Sequence, residues 1–338
     1  DTEFDLYLIE TARGCGRHCR FCMAGYCFRR PRIRSRKVLK DEILAARPYQ
    51  KRIGLMGATI SDYPEIDELC GDILTAGLPM SVASFRVDSV TAALMDSLIR
   101  SGMKTLTMAP EAGSDRMRAA INKGITEEHL WRALDMGIAA GLRHYRLYLM
   151  IGLPGETAED IEAIVSLAIR LKEYLENKGN KGTLTLSVNP FVPKPFTPFQ
   201  WAKMETRDEY LRRAHLVKDT MRQQLNQKSM KYQYHDAEVT LLEGLMARGD
   251  RKIADVIVSA YKNGAMYDSW SDRFSMEYWN KAYEETGIDP DFYTLREREI
   301  DEVFPWDFID CGITKSFLIR EWDTAHKDKI TPNCRQQC

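Results

Sequence analysis

The stretch from Cys15 to Cys22 has the residue types and the spacing of an iron–sulfur or metal site. Cys15, Cys19 and Cys22 follow the pattern C-x3-C-x2-C, directly after the predicted strand "LYLIET". Three thiolates bind three irons of a cubane cluster and leave the fourth iron open, much as a catalytic zinc keeps one position free. The spacing therefore predicts a [4Fe–4S] cluster with an open iron, where a small molecule can bind.

A zinc knuckle is the alternative for this stretch, because His18 lies inside the loop and Cys27 follows it. Zinc ligands usually come as a C-x2–4-C pair with a second pair or histidines at a distance. A zinc knuckle also leaves the rest of the chain unexplained. We expect Cys27 to have no ligand role, since three cysteines already complete the cluster site.

The elements that must position these cysteines alternate between short apolar strands and amphipathic helices. Six strands, each followed by a helix or by the proline-rich exit "NPFVPKPFTPFQW", predict a parallel sheet. The fold class is α/β, an open (β/α)6 partial TIM barrel followed by a mainly α-helical C-terminal domain. We set the barrel at 1–200 and the helical domain, a possible lid, at 201–338. Within the barrel, "SDYPEIDELCGDILTAG" predicts a helix capped by Ser61 or Asp62 and ended by Gly77.

Composition and charge exclude several classes of protein. The net charge of −1 provides no global field for nucleic acid or a membrane surface. No apolar run approaches the roughly 18 residues that a transmembrane helix needs. Of the eight cysteines, most lie at short intervals near the two ends of the chain, which is typical of metal or cluster sites in a reducing compartment. We expect a cytoplasmic protein with no membrane partner.

Three motifs resemble one family. "CGRHCRFC" is similar to the three-cysteine signature of the radical S-adenosylmethionine (SAM) enzymes, with an aromatic residue before the last cysteine. "APEAGSDRMRAAINKGIT" and "LYLMIGLPGET" resemble the fourth and fifth strand regions of the branch that contains methylthiotransferases and cobalamin-associated enzymes. The resemblance covers about residues 5 to 200.

This resemblance implies a cofactor set and a reaction. The amino and carboxylate groups of SAM would chelate the open iron, and the reduced cluster would cleave SAM to methionine and a 5′-deoxyadenosyl radical. An electron donor such as flavodoxin or ferredoxin is implied. Cobalamin would require a domain that does not lie in this chain.

Two charged residues at strand ends are candidate SAM ligands. Glu111 matches the acidic residue of the family that faces SAM, and a carboxylate accepts hydrogen bonds from ribose hydroxyls or an ammonium group. The alternative interpretation is that Glu111 is only a negative charge in the first turn of the next helix. Arg86 ends the third strand and is a candidate to bind the methionine carboxylate bidentately, and a salt bridge with Asp88 or another acid is the alternative.

The other candidate SAM contacts also lie at strand ends. Gly57, Ala58 and Thr59 follow the second strand, where relatives often carry a "GGE"-like turn, but this sequence reads "MGATISD" and lacks the acid. Three residues after the fifth strand suit an apolar wall for adenine, namely Ile151, Gly152 and Leu153. Backbone groups near Val188 and Asn189 are candidates to read the adenine edge.

Two further features concern the substrate and a second site. "RRPRIRSRK" carries six positive charges in nine residues near the predicted barrel mouth, which suits an RNA substrate or a solvated surface. Cys311, Cys334 and Cys338 are candidate ligands of an auxiliary metal or cluster, although Cys311 also reads as a small buried hydrophobic residue.

The sequence therefore predicts a radical SAM enzyme. The expected reaction is methyl transfer, methylthio transfer or another C–H functionalisation of a large substrate, RNA or protein. A cluster-bearing binding or scaffold module that has lost SAM chemistry is the alternative, supported by the "MGATISD" departure.

Overall fold

The computed structural model describes residues 5–82, 85–224 and 229–332 of the chain. The strands run in chain order as follows: β1 Leu6–Glu10, β2 Ala12–Arg13, β3 Arg32–Ile33, β4 Arg52–Met56, β5 Met80–Val82, β6 Thr105–Glu111, β7 His144–Ile151, β8 Thr183–Pro190 and β9 Met230–Tyr234. The α-helices are α1 Ala24–Cys27, α2 Arg36–Ala46, α3 Ile66–Thr75, α4 Ala92–Arg100, α5 Asp115–Ala120, α6 Glu127–Ala139, α7 Ala158–Asn177, α8 Arg207–Gln224, α9 Ala237–Arg248, α10 Ile253–Asn263, α11 Met276–Thr286, α12 Pro290–Thr294 and α13 Lys315–Ala325. Short 3₁₀ helices span Arg47–Tyr49, Ile60–Asp62 and Pro198–Trp201.

The strands form two parallel sheets whose neighbours follow one another along the chain. One sheet has the order β1-β4-β5, and the other has the order β6-β7-β8-β9. Strands β2 and β3 pair separately as an antiparallel ribbon. Helices follow the parallel strands and cover them, which is the pattern of an open α/β barrel. The predicted α/β partial barrel is confirmed.

The structure adds a seventh parallel strand that we did not predict. Strand β9 pairs with β8 in the register Leu184 to Met230, after helix α8. It lies in the range predicted as mainly helical, so the parallel order continues past residue 200. The remaining described elements from residue 237 onward are helices. The domain boundary itself stays a prediction.

The predicted start of the third helix was wrong. Helix α3 begins at Ile66 and not beside Ser61, because Pro64 interrupts the segment and Tyr63 before it is extended. The Ser61 hydroxyl instead accepts the backbone N–H of Arg86 at 2.9 Å. The end of the helix is as predicted, since Gly77 has a left-handed φ of 76°.

The main hydrophobic core lies between the sheets and their helices. Ile9, Leu55 and Leu147 are fully buried in it. A second cluster joins the cysteine loop to the C-terminal helix α13 through Tyr26 and Trp322. Burial of aromatic side chains on this scale stabilises the contact between the two ends of the chain. Within the described ranges, no helix has the length and apolar character to cross a bilayer.

Candidate functional site

The three predicted cluster cysteines lie in one loop at the carboxyl end of strand β1. Cys15 and Cys19 are buried and Cys22 is half-buried, and none of them forms a disulfide. Burial raises the pKa of the thiols of Cys15 and Cys22, and each responds to the charge of Cys19. The three thiols therefore share one electrostatic environment at the mouth of the barrel, where active sites of barrel enzymes lie.

The loop needs glycine at a specific position. Gly14 has a φ of 90°, and a Cβ built there would lie 2.1 Å from the carbonyl oxygen of Phe28. Only glycine combines this conformation with so close an approach of two backbone segments. The neighbouring Gly16 has no such restriction, because its Cβ would meet only the ring of Pro31 at 3.4 Å.

The donor set fits a cubane better than a single ion. Across residues 5–82, 85–224 and 229–332, no three His, Cys, Asp or Glu side chains converge on a point that could hold one metal ion. A cubane binds each thiolate to a different iron, so its ligands need not converge on one point. The three free thiols are therefore compatible with a cluster, and the choice between a cluster and the zinc knuckle stays a prediction.

Arg20 anchors the loop to the rest of the protein. It lies between two of the cysteines, is fully buried and pairs with Glu321 of α13 at 3.2 Å. Its guanidinium also donates to the carbonyls of Ala120 at 2.7 Å and Lys329 at 2.9 Å. Burial lowers the pKa of Arg20 although Glu321 opposes the change. The loop conformation thus depends on contacts with the C-terminal part of the chain.

The structure shows the ion pair that was the alternative for Arg86. Its Nε and Nη2 donate to the two carboxylate oxygens of Asp88 at 2.9 and 3.1 Å. Its Nη1 lies 3.9 Å from the Sγ of Cys19, so the positive charge also faces a predicted cluster ligand. Asp88 and Asp62 both pair with Arg17 inside the loop, at 3.1 and 2.7 Å. A contact of Arg86 with SAM stays a prediction.

Glu111 lies at a bulge and has a partner that the sequence did not indicate. The register between β6 and β7 shifts between Met108 and Glu111, and Glu111 has a φ of 68°. A bulge re-aims the side chain that follows it. The Nζ of Lys123 donates to Glu111 Oε1 at 2.8 Å and lies 5.7 Å from the ring centroid of Phe21, next to Cys22.

Lys123 was missed because it lies on a turn after the short helix α5. Sequence periodicity says little about the direction of a side chain on a turn. The available signal was its place in "AAINKGIT", the second half of the quoted fourth-strand motif. Together the acid and the base form a mixed-charge pair beside the cluster loop.

Two cavities adjoin the loop. One has a volume of about 180 Å³, and its lining includes Ala58 and Thr59 from the predicted second-strand turn together with Gly14, Gly16 and Arg17. The other has a volume of about 330 Å³ and is lined by Phe21, Met150, Asn189, Pro190, Phe191, Val192, Lys194, His235, Thr240 and Glu243. The predicted turn residue Gly57 is packed against Thr11 and Ile60, which a Cβ would approach to 3.1 Å.

The predicted adenine contacts are separated by the structure. Ile151 and Leu153 are buried in two different hydrophobic clusters. Gly152 has a φ of 87° and donates its N–H to Glu156 at 2.8 Å. The carbonyl of Val188 already accepts the N–H of His235 and the hydroxyl of Tyr210. Asn189 lines the larger cavity, and the adenine contacts stay predictions.

The arginine run is partly neutralised. Arg34 pairs with Glu42 at 2.5 Å, and Arg36 pairs with Asp72 at 2.7 Å. The guanidinium of Arg29 lies 5.2 Å from the ring centroid of Phe317. Because these three arginines already contact acidic or aromatic side chains, the exposed basic surface is smaller than the sequence suggests.

Two of the three candidate ligands of the second site, Cys334 and Cys338, lie outside the described residues. The third, Cys311, is half-buried and lies beside Cys27. The ligand role of Cys311 and its hydrophobic alternative both stay predictions.

Part of the chain matches a known family. Residues 9–168 match the family described as the radical SAM superfamily, which confirms the resemblance drawn from the cysteine motif. The chain is 31% identical over 286 residues to an uncharacterized protein of Methanocaldococcus jannaschii, a match that covers 79% of this chain and 60% of that protein. It is 26% identical over 207 residues to the tRNA-2-methylthio-N(6)-dimethylallyladenosine synthase of Carboxydothermus hydrogenoformans, covering 54% of this chain and 45% of the synthase.

Solved structures were matched only partially. The crystal structure of SuiB from Streptococcus suis bound to the precursor peptide SuiA superposes with a TM-score of 0.48 and 13% identity, over 72% of this chain and 51% of that one. The chain thus spans about half of the length of the relatives it matches.

Proposed function

Residues 9–168 belong to the radical SAM superfamily, a superfamily of enzymes, and from this premise we propose that the chain binds one [4Fe–4S] cluster and SAM. Cys15, Cys19 and Cys22 hold the cluster. Reductive cleavage of SAM, with an electron from flavodoxin or ferredoxin, is the chemistry that such a cluster supplies. The observation that carries the proposal is a loop of three free thiols beside a Glu–Lys pair at the barrel mouth.

The charged side chains bind and orient SAM. When SAM is bound, Glu111 would accept hydrogen bonds from its ribose hydroxyls or its ammonium, and Lys123 would donate to its carboxylate, so that these contacts replace the mutual ion pair. Arg86 keeps a positive charge against the thiolate of Cys19 and is held in place by Asp88. Charge-assisted hydrogen bonds of this kind are stronger than neutral ones and fix the orientation of the ligand.

The larger cavity receives the adenosine part. Its volume of about 330 Å³ lies within the ordinary size range of ligand pockets. Phe21 provides an aromatic face next to Cys22, and the side-chain amide of Asn189 can both donate and accept hydrogen bonds. Its position between the cluster loop and the ends of β7 and β8 suits a ligand that reaches from the cluster across the barrel mouth.

The reaction that we propose is methyl transfer, methylthio transfer or another C–H functionalisation of a large substrate, RNA or protein, in the cytoplasm. The printed name of the tRNA-modifying relative supports an RNA substrate. The basic segment after the loop supports it only weakly, because several of its arginines are paired. Cobalamin would enter through a domain outside this chain.

A cluster-bearing scaffold without SAM chemistry is the second candidate. It is favoured by the second-strand turn, where Ala58 and Thr59 stand in place of an acidic residue. If the chain is nevertheless an active enzyme, backbone carbonyls of this turn would have to contribute to binding the SAM ammonium.

Anaerobic reconstitution with iron and sulfide tests the proposal. We expect about four irons per chain, a broad absorption at the blue end of the visible region, and 5′-deoxyadenosine after addition of SAM and dithionite. The triple variant Cys15→Ala/Cys19→Ala/Cys22→Ala should lose all three signals. The control Cys70→Ala changes a buried thiol in α3 and should keep them. Iron and absorption that survive in the triple variant contradict the ligand assignment. A bound cluster with no 5′-deoxyadenosine favours the scaffold.

A further inference from the structure

An arginine on the inner face of the sheet β6-β7-β8-β9 lacks a protein partner among the described residues. Arg146 lies in β7 between Tyr145 and Leu147, which are fully buried in the main hydrophobic core. Because side chains alternate across a strand, Arg146 lies on the opposite face, toward the inside of the barrel. Its Nε is buried without a hydrogen-bond partner, and no described residue forms an ion pair or a hydrogen bond with its side chain.

The residues beside Arg146 on the same face are polar. Arg146 is level with Thr107 of β6 and with Thr185 of β8, and Thr185 is level with Lys231 of β9. Neighbouring strands lie about 4.8 Å apart, so these four side chains form one row across the sheet. Hydroxyls donate and accept hydrogen bonds, whereas arginine and lysine only donate. The row therefore offers hydrogen-bond donors and positive charge to a bound group.

The described strands carry no free acid that could neutralise this row. Among the residues of β1 to β9, the acids are Glu10 and Glu111. Glu10 pairs with Arg13, and Glu111 pairs with Lys123, both at 2.8 Å. The positive charge of Arg146 therefore has no carboxylate counterpart on these strands.

Buried arginines elsewhere in the chain do have acceptors. Arg20 pairs with Glu321 at 3.2 Å, and the Nε of Arg248 donates to the carbonyl of Tyr293 at 2.8 Å. A buried donor without an acceptor is unfavourable, because it has lost its contacts with water and gained none in the protein. The state of Arg146 therefore favours an acceptor that comes from solution.

A cavity extends along β6 beside Arg146. It has a volume of about 450 Å³, and its lining includes Thr105, Thr107 and Ala109 of β6 and Tyr148 of β7. Thr107 is the register neighbour of Arg146, and Tyr148 is the next residue on the same face of β7. The strand rises about 13 Å from Thr105 to Ala109. This β6 cavity therefore has room for an elongated small molecule or for the end of a chain.

An anionic oxygen group suits the donors of this row. The guanidinium of an arginine can hold two oxygens of a carboxylate or a phosphate at once, through Nε and one Nη. The hydroxyls of Thr107 and Thr185 can donate to a remaining oxygen, and Lys231 adds a second positive charge to the same row. A cationic or purely apolar group would leave these donors unpaired.

The depth of Arg146 indicates which part of a substrate would reach it. Met150, on the same face of β7, lines the cavity that we assign to adenosine. Four residues of strand separate Met150 from Arg146, a rise of about 13 Å. An internal segment of RNA or protein would have to enter the barrel and leave it again, which requires room for two lengths of chain. A terminal group fits the β6 cavity better.

We propose that Arg146, together with the hydroxyls of Thr107 and Thr185, binds a terminal carboxylate or phosphate of the substrate inside the barrel. The inference rests on the proposed function, because it concerns the substrate of that reaction. It adds a chemical class for the group that enters the barrel and a residue that recognises it. Binding of the anion can be measured without SAM cleavage, so the two proposals fail separately.

Calorimetry with three small probes tests the site. The chain is titrated at constant ionic strength with butyl phosphate, with pentanoate, and with dimethyl phosphate, which imitates the internal phosphodiester of RNA. We expect butyl phosphate or pentanoate to bind, and Arg146→Met to weaken that binding about tenfold or more. Arg146→Lys keeps the charge without the planar fork and should have an intermediate affinity. The control Arg143→Met removes an exposed arginine directly before β7 and should bind as the wild type does.

The outcomes separate the sources of the anion. The terminal probe that binds more tightly identifies the group as phosphate or carboxylate. Equal affinities in the wild type and Arg146→Met overturn the site, as does the failure of both terminal probes to bind at millimolar concentration. Arg146-dependent binding of dimethyl phosphate in preference to the others contradicts a terminal group and favours an internal RNA segment. A chain that binds a terminal probe through Arg146 but forms no 5′-deoxyadenosine refutes the radical chemistry alone.

A second measurement needs no variant. Phenylglyoxal reacts with arginine guanidinium groups, and mass spectrometry of the digested wild-type chain reports the modification of each arginine. We expect the terminal probe that binds to protect Arg146 and to leave Arg143 reactive. Equal modification of Arg146 with and without the probe contradicts the contact. An Arg146 that does not react even without the probe would mean that the interior is closed to ligands, which also overturns the proposal.

Discussion

Arg20 and Glu321, which are 301 positions apart in the sequence, form an ion pair at 3.2 Å in which both side chains are almost completely buried. The arginine lies between two of the proposed cluster cysteines, and the glutamate belongs to the last described helix. Glu321 also accepts the hydroxyl of Thr331 at 2.8 Å. One buried carboxylate thus connects the cluster loop, α13 and the chain that follows it.

Removing this carboxylate should destabilise the protein strongly. In Glu321→Ala the Arg20 guanidinium stays buried without its charge partner, and such a loss costs about 3–5 kcal/mol. We expect that decrease in the free energy of unfolding, measured by chemical denaturation. The matched control is Asp96→Asn, which removes the exposed ion pair with Arg100 at 3.7 Å. This substitution should change the free energy of unfolding by less than about 1 kcal/mol. Equal effects of the two substitutions would contradict the assigned role.

The Glu111–Lys123 pair provides a test of SAM binding. Loss of a hydrogen bond to a charged group costs about 1.5–3 kcal/mol. We therefore expect Glu111→Gln, and separately Lys123→Met, to weaken SAM binding to the reconstituted protein by about 10- to 150-fold in calorimetry. Glu128→Gln changes an exposed acid in the first turn of α6 and is the control. An unchanged SAM affinity in Glu111→Gln would contradict the contact.

The cluster loop offers a comparison of two neighbouring glycines. Gly14→Ala forces a side chain into a φ of 90° and into the Phe28 carbonyl, whereas Gly16→Ala meets only a proline ring at 3.4 Å. We expect Gly14→Ala to lower the iron bound after reconstitution to less than half, and Gly16→Ala to leave it near the wild-type value. Iron determination per chain measures both, and equal iron contents would contradict the strained geometry.

Glu156 should make stability depend on pH. Burial raises the pKa of its carboxyl to about 7, although the Gly152 N–H and Arg213 act in the opposite direction. With an ordinary value of 4.5, the folded protein binds more protons than the unfolded chain between about pH 4.5 and 7. The free energy of unfolding therefore falls as pH rises through this window, by up to about 1.4 kcal/mol per pH unit.

The variant Glu156→Gln isolates this effect. Its amide oxygen can still accept the Gly152 N–H, but it does not titrate. We expect the stability of the wild type to fall relative to the variant between pH 5 and 7 and to stay constant relative to it above pH 8. Denaturation curves at four pH values measure the difference. Parallel stability profiles would mean that the carboxyl ionises in its ordinary range.

Local sequence patterns predicted the elements whose apolar residues are regular. Strand β1 and the cysteine loop were recognisable because an apolar run precedes closely spaced thiols. Strand β9, "MKYQY", was missed since only Met230 of its five residues is fully buried, which leaves no apolar pattern. The start of α3 was misjudged because Ser61 found a tertiary partner in Arg86. Contacts between distant segments decide such cases, and a single sequence does not display them.

The same limit applies to the site. Glu111 was found by its place at a strand end, but its ion pair with Lys123 depends on how the following turn folds back. Arg20 looked like an ordinary loop charge, and its complete burial depends on a helix near the other end of the chain. The meeting of Cys27 and Cys311 has the same origin. The residue types indicated the chemistry of the site, whereas the tertiary fold determined which side chains contact one another.

The anchoring of the cysteine loop has a consequence for the time at which the protein matures. Arg20 completes its contacts only with Glu321, Lys329 and Thr331. A ribosome produces these residues some 300 codons after the cysteines, at about 5–20 residues per second. For at least about 15 seconds the nascent loop therefore lacks the partners that hold its native conformation. Insertion of the proposed cluster into the native loop thus belongs after translation of α13, and scaffold proteins that deliver iron and sulfide would meet a chain that already contains this helix.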